Sequence, residues 1–165
     1  MLEERGGWFV VNVKDARWTR RGDFFGSKGS FERPGHPFPQ IGIHVYVLEP
    51  GKPNCRYHRE DAQEDLLVLS GRCRLLVNNE ERTLETWDFV HFPAGVSHVV
   101  VGLDEPSAVL FIGHREDPEP DLFYPASALA RRYGAEAPEP TADPGVAYSD
   151  TPPRVPAAAP PWKVR

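Results

Sequence analysis

The chain has 165 residues, a formal net charge of −5 at pH 7 and 40% hydrophobic residues, which suits one domain with a real core. Because the charge is mildly acidic and shows no basic stripe, we expect no nucleic-acid partner. No apolar run approaches the roughly 18 residues of a membrane span and no secretory signal pattern occurs, so we expect a cytoplasmic protein without membrane contact. In that reducing compartment, Cys55 and Cys73 are expected to be free thiols.

The predicted elements are mostly short strands separated by turns. Residues 8–13 predict an N-terminal strand, and residues 19–40, rich in Gly, Pro and charge, predict a long loop. Asn78 and Asn79 predict a hairpin turn, because Asn tolerates positive φ. Many short strands without a helical period favour an all-β sandwich or barrel. The apolar runs of strand length are residues 41–49, 64–70, 72–78, 82–86, 88–93, 97–102 and 108–113.

The chain after the last predicted strand has a different composition. Pro125 fits the first turn of a helix through residues 127–133, and Gly134 fits its end. Residues 135–161 are dominated by Ala, Pro, Glu and Asp, which is typical of an extended or disordered tail. The aromatic residues Tyr148 and Trp162 favour the opposite interpretation, a tail that packs on the barrel or on a partner subunit.

Two stretches of the sequence together fit a divalent-metal site. His58, Glu60 and Glu64 lie in the first stretch, and His98 follows a Pro-Ala-Gly turn in the second. Residues two apart in a strand share a face, so His58 and Glu60 would point the same way, while Glu64 opens the next strand. If these strands line one barrel, two imidazoles and one or two carboxylates converge, a ligand set for iron, manganese, nickel or zinc. Alternatively, Glu60 points to solvent, and the metal ligands are His58, Glu64 and His98.

The same two stretches resemble the motifs of the cupin superfamily. Residues 64–71 match the Glu-x6-Gly end of the first motif, and residues 93–98 match the Pro-x-Gly-x2-His core of the second. The resemblance covers residues 41–113 and is to small single-domain bacterial cupins. It implies an all-β fold, the cupin double-stranded β-helix, which is a jelly-roll-like barrel with a metal in its mouth. Here a short C-terminal helix and a Pro-rich tail would follow it.

The chain departs from the cupin motifs at four positions. They are Glu60 in place of the second histidine, Trp87 in place of a glycine, Gly102 in place of an asparagine, and Gly51, one residue too far from His58. A carboxylate can replace an imidazole as ligand and gives a harder, more anionic site. Gln63 is a further substitute if the loop is shifted by one residue.

We therefore predict three parts of the chain. Residues 1–40 form a strand and loop extension packed on the barrel, residues 41–115 form the barrel, and residues 116–165 form a helix and a Pro-rich extension. Small cupins commonly dimerise, so we expect a homodimer. Strand residues beside the metal would line a pocket for a small-molecule substrate or ligand. The candidates are His44, Tyr46, Trp87 and His91.

Three functions fit these features. The first is a metal-dependent enzyme, an oxygenase, isomerase or similar, that acts on a small organic molecule. The second is a non-catalytic barrel that binds or senses a small ligand. The third is a barrel used for assembly, with the tail as an interaction arm. Cupins include dioxygenases, isomerases and decarboxylases, and a fold does not fix a function.

Overall fold

A computed structural model of the chain describes residues 3–5, 8–115 and 121–161, and its mostly-β architecture confirms the predicted fold class. Two short helices, α1 (Ala128–Arg132) and α2 (Pro144–Ala147), lie in the C-terminal part. No helix in the described ranges is long and apolar enough to cross a bilayer. The strands are β1 (Glu3–Arg5), β2 (Trp8–Val10), β3 (Arg17–Arg20), β4 (Ser27–Ser30), β5 (Ile41–Leu48), β6 (Arg59–Glu60), β7 (Glu64–Ser70), β8 (Arg72–Val77), β9 (Glu80–Glu85), β10 (Phe89–Phe92), β11 (His98–Gly102), β12 (Ser107–His114), β13 (Leu122–Phe123) and β14 (Val155–Pro156).

Two sheets face each other and enclose the core. The larger sheet has the order β10-β7-β12-β5-β4-β3-β14, and the smaller one has the order β11-β8-β9. Alternate residues of each strand point inward, so Leu66 and Val109 of the larger sheet meet Leu75 and Val100 of the smaller sheet. The strands predicted at residues 41–113 are thereby confirmed to within one or two residues at most ends.

Helix α1 covers the outer face of the smaller sheet. Val99 and Val101, which alternate with the inward residues of β11, pack against Ala130. The Ser127 hydroxyl accepts a hydrogen bond from the Ala130 amide over 3.1 Å and caps the helix start. Pro125 lies before this cap, so its predicted place in the first turn is wrong.

The local turn at Asn78 and Asn79 is confirmed. Both residues have positive φ, 45° and 65°, and they join β8 to β9. The predicted loop at residues 19–40 is wrong in part, because β4 pairs with β5 in its middle. Ser-Lys-Gly-Ser carries no apolar alternation, so backbone pairing with a long neighbouring strand produces this strand, not its own propensity.

The C-terminal extension, residues 121–161 of the described chain, packs on the barrel. Ala135, Ala137 and Ala147 are buried, and β14 adds to the edge of the larger sheet beside β3. Of the two interpretations of the tail, packing is therefore confirmed for this part. Trp162, which also favoured packing, lies outside the described residues.

Candidate metal centre

The two predicted histidine ligands lie opposite each other on neighbouring backbones. His58 and His98 form an antiparallel bridge between the segment before β6 and the start of β11. The His58 amide donates to the His98 carbonyl over 3.2 Å, and the His98 amide donates to the His58 carbonyl over 2.8 Å. A pair bonded in both directions holds its α-carbons about 5.5 Å apart. Backbone pairing therefore brings the two motifs together.

The turn before His98 depends on a glycine. Gly95 has φ of +82°, a conformation that side chains disfavour, and its amide donates to the Glu60 carbonyl over 2.7 Å. The Val96 amide closes the turn on the Pro93 carbonyl over 3.2 Å. The Pro-x-Gly-x2-His spacing thus starts β11 with His98 pointing into the barrel.

Glu64 is the first residue of β7 and supplies the carboxylate. It shares the inward face with Leu66 and Val68, which are buried in the core. Its neighbour on β12 is Gly113, and a side chain there would begin 3.7 Å from the Glu64 Oε1 atom. A glycine at this position keeps the space around the carboxylate open.

Each imidazole is oriented through its Nδ1 atom. The His58 Nδ1 atom donates to the Arg56 carbonyl over 2.9 Å, and the His98 Nδ1 atom donates to the Val96 carbonyl over 3.0 Å. A hydrogen on Nδ1 leaves the Nε2 lone pair available to a metal. The His98 ring also stacks on Phe92, with centroids 3.9 Å apart and planes 6° apart, so its orientation is fixed by packing.

One donor atom from each of His58, Glu64 and His98 lies within 4.8 Å of the other two. The Glu64 Oε2 atom is 2.8 Å from the His98 Nε2 atom and 3.9 Å from the His58 Nε2 atom. The Glu60 Oε1 atom lies 3.6 Å from the His58 Nε2 atom, at the edge of this cluster. Two imidazoles and a carboxylate suit a divalent transition metal.

The electrostatics of the cluster are those of a site that holds a positive charge. Burial acts to lower the pKa of His58, but the Cys55 sulfur and the carboxylates of Glu60 and Glu64 raise this pKa well above its usual value. The pKa of Glu60 is lowered, chiefly by its hydrogen bond with His58. A bound cation would balance the same carboxylates.

The part of the chain that carries these donors matches a known protein family. Residues 44–113 match the model of the cupin domain of the Cupin_2 family. This part of the chain is a cupin domain. Its boundaries enclose the three clustered donors, His58, Glu64 and His98. No curated protein matches the sequence.

Solved structures share the cupin fold at low identity. A putative sugar phosphate isomerase from Acidithiobacillus ferrooxidans is 34% identical, with 47% of this chain and 52% of that chain covered and a TM-score of 0.45. This chain thus spans about half the length of that protein. A cupin sugar phosphate isomerase from Silicibacter pomeroyi is 22% identical, with 65% and 76% covered and a TM-score of 0.57. The polyketide cyclase RemF from Streptomyces resistomycificus is 13% identical, with 64% and 78% covered and a TM-score of 0.55. The last two likenesses show the fold alone.

A cavity of about 320 Å³ opens beside the donors inside the cupin barrel. Of the four predicted pocket residues, His44 and Tyr46 line it, because both lie on the inward face of β5. Trp87 and His91 do not. His91 alternates with the buried Phe92 and therefore points outward, where its Nδ1 atom is 2.7 Å from the Asp65 Oδ1 atom.

Trp87 is also turned away from the cavity and is 70% exposed. It stands where the cupin motif has a glycine, and it adopts the left-handed φ of +75° that the glycine would take. Gly102 replaces an asparagine for an equally local reason, because a side chain at this position would collide with the Glu49 carbonyl. Both departures thus have a local explanation in the backbone of this chain.

The cavity also contains residues that the sequence analysis did not assign to it. Tyr148 gave a signal, since an aromatic residue is unusual in a Pro- and Ala-rich tail. Lys28 gave none, because its strand was predicted as a loop. These additional lining residues include Lys28, Asn54, Cys55, Arg115, Leu122, Tyr124 and Tyr148.

The two thiols should differ sharply in reactivity. Cys73 is fully buried, and burial, with a smaller contribution from Asp88, raises the pKa of its thiol to about 12. Cys55 is half-buried beside the cavity. We expect Ellman's reagent at pH 8 to modify one thiol in the native protein and both after denaturation. The Cys55→Ser variant should lose the native reaction, and rapid labelling of that variant would contradict the assignment.

Proposed function

We propose that this cupin is a metal-dependent enzyme that acts on a small oxygen-containing organic molecule. His58, Glu64 and His98 would hold the metal, and iron, manganese, nickel and zinc all suit this donor set. When bound, such a metal supplies Lewis-acid polarisation of a substrate oxygen or a platform for oxygen chemistry. The observation that carries the proposal is a cavity beside the donors that contains an additional ionised carboxylate.

That carboxylate is Glu60. Its lowered pKa keeps it ionised at neutral pH, and its side chain is 28% exposed, on the wall of the cavity. A carboxylate in this position can accept a proton from a substrate carbon or hydroxyl and return it to a neighbouring atom. His58 lies 3.6 Å away and holds the carboxylate in place.

Phenol groups line other parts of the cavity. Burial raises the pKa of Tyr46, Tyr124 and Tyr148, so all three hydroxyls stay protonated at neutral pH. Protonated phenols donate hydrogen bonds, and they can orient the oxygens of a substrate while their rings exclude water.

The test compares two carboxylate variants on a panel of α-hydroxy-carbonyl compounds in D2O, with proton NMR as the readout. We expect proton exchange or isomerisation with the metal-loaded wild type. Glu64→Gln should lose both metal and turnover. Glu60→Gln should keep the metal but lose about 100-fold or more in rate, as expected for a missing general base.

The matched control is Glu85→Gln, because Glu85 is exposed on β9. Undiminished turnover after removal of the metal would contradict the proposal. Saturable binding of panel compounds without chemical change would favour the second function, a non-catalytic binding or sensing barrel. The homodimer and the cytoplasmic location stay predictions.

A further inference from the structure

A second cavity, of about 450 Å³, adjoins the one beside the metal centre. Lys28, His44 and Arg115 line both cavities, so the two are immediate neighbours. The second cavity is unusually basic for a protein of net negative charge. Its charged lining residues are Arg17, Lys28, Glu32, Arg115 and Arg154.

The one carboxylate of this lining is already engaged. The Glu32 Oε1 atom lies 2.5 Å from the Arg115 Nη1 atom and accepts a hydrogen bond from the Phe38 amide over 3.0 Å. Arg154 donates to the Thr19 hydroxyl over 3.3 Å. In the described ranges, neither Lys28 nor Arg154 forms an ion pair. The cavity therefore has an excess of positive charge.

Lys28 is the most constrained of these cations. Its ammonium nitrogen lies 5.8 Å from the centre of the Tyr46 ring, and burial, followed by the charge of Arg154, lowers its pKa to about 8. Beside it, burial and the charge of Lys28 lower the pKa of His44 to about 3, and the His44 Nδ1 atom is buried without a hydrogen-bond partner in the described structure. A half-buried cation is costly unless an anion accompanies it.

Lys28 lies on the same face of the larger sheet as the metal ligand Glu64. Lys28 pairs with Tyr46 across β4 and β5, so both side chains lie on the inward face. From β7, which carries Glu64, to β4 there are three strand spacings in the order β7-β12-β5-β4, or roughly 14 Å between backbones. A small molecule can span the gap that remains between the side chains.

We propose that the second cavity is an oxyanion subsite, in which Lys28, Arg115 and Arg154 bind the phosphate or carboxylate group of a substrate whose other end reaches the metal centre. The assignment of this group to a substrate rests on the proposed function. Anion binding itself depends only on the basic residues. Arg154 offers a planar fork that matches such groups, and Lys28 adds a point charge. Arg115, whose Nη1 atom already donates to Glu32 and to the Phe38 carbonyl, would contribute through its other guanidinium nitrogens.

The experiment is calorimetric titration of the metal-stripped protein at low ionic strength, with inorganic phosphate and with malonate as separate probes. We expect saturable binding of at least one probe to the wild type, and the stronger probe identifies the type of oxyanion. Lys28→Met, which keeps the length of the side chain, and Arg154→Gln should each weaken that binding about tenfold. Circular dichroism establishes that both variants are folded.

The matched control is Arg72→Gln, which removes a cation 55% exposed on β8 and should leave binding unchanged. Equal affinity in all four proteins, or no saturable binding of either probe, would overturn the proposal. Because the metal is absent, failure of the metal centre does not affect this readout. A protein that binds the anion but has no metal-dependent turnover would contradict the proposed function and leave the subsite intact.

Discussion

The His98→Ala variant is expected to lose stoichiometric metal binding. His98 is 2% exposed, and its Nδ1 atom is fixed by the Val96 carbonyl so that Nε2 faces Glu64. Loss of an outer partner of a metal ligand alone typically costs 10- to 100-fold in affinity, so loss of the ligand should cost at least about 100-fold. Elemental analysis after reloading and dialysis measures the effect.

A matched control for this variant exists in the same barrel. His91→Ala removes an imidazole that points outward and lies 2.7 Å from Asp65, so its metal content should equal that of the wild type. Since His98 also packs on Phe92, thermal unfolding of the alanine variant must be compared with that of the wild type. Glu64→Gln, at a side chain 17% exposed, removes a second donor with less loss of packing. Stoichiometric metal in both donor variants would rule out the centre.

The Arg56→Ala variant is expected to have the largest effect on stability. Arg56 is 4% exposed, and its guanidinium donates to the carbonyls of Gly134, Glu136 and Ala147. It also forms an ion pair with Asp150 at 2.5 Å. Truncation would leave the buried Ala147 carbonyl and the part-buried carbonyls of Gly134 and Glu136 without this donor. We expect a loss of about 3 to 5 kcal/mol in the free energy of unfolding, measured with urea.

The same variant should release the C-terminal extension. Limited trypsin digestion can cut at Arg131, Arg132 and Arg154, and we expect these cuts to appear earlier in Arg56→Ala than in the wild type. Arg72→Ala removes an exposed arginine and should change stability by less than about 0.5 kcal/mol. Arg56→Lys keeps the positive charge but not the planar guanidinium group. It should therefore recover only part of the lost free energy of unfolding. An unchanged digestion pattern in Arg56→Ala would show that the extension is held by other contacts.

The accuracy of the sequence-based predictions depended on the range of the interactions involved. The Asn78-Asn79 turn was predicted correctly because two adjacent residues determine it. The approach of His58 to His98 could be anticipated only through the paired motifs, since a long-range backbone bridge produces it. By spacing alone, Glu60 and Glu64 both fit a strand beside the metal. Only the structure shows that Glu64 lies within the cluster of donors and Glu60 lies at its edge.

Residues far apart in the chain account for what the sequence did not predict. Ser27–Ser30 is a strand because β5 offers it partners, and Lys28 was therefore missed as a cavity residue. The alanines of the extension are buried by packing on residues distant in the chain, Ala135 beside Val99 and Ala147 beside Tyr124, and alanine propensity gives no sign of this. The sequence predicts Trp87 in the pocket, yet its glycine-like backbone turns its side chain away.

Two parts of the chain line the two neighbouring cavities, the cupin barrel and the segments that flank it. The metal donors lie inside residues 44–113, the span that matches the cupin domain, whereas Lys28, Tyr124, Tyr148 and Arg154 lie outside it. Mutations in the flanking segments can therefore alter which molecule fits without disturbing the strands that hold the donors. Proteins that share this barrel but differ in the flanking segments would therefore have differently lined cavities.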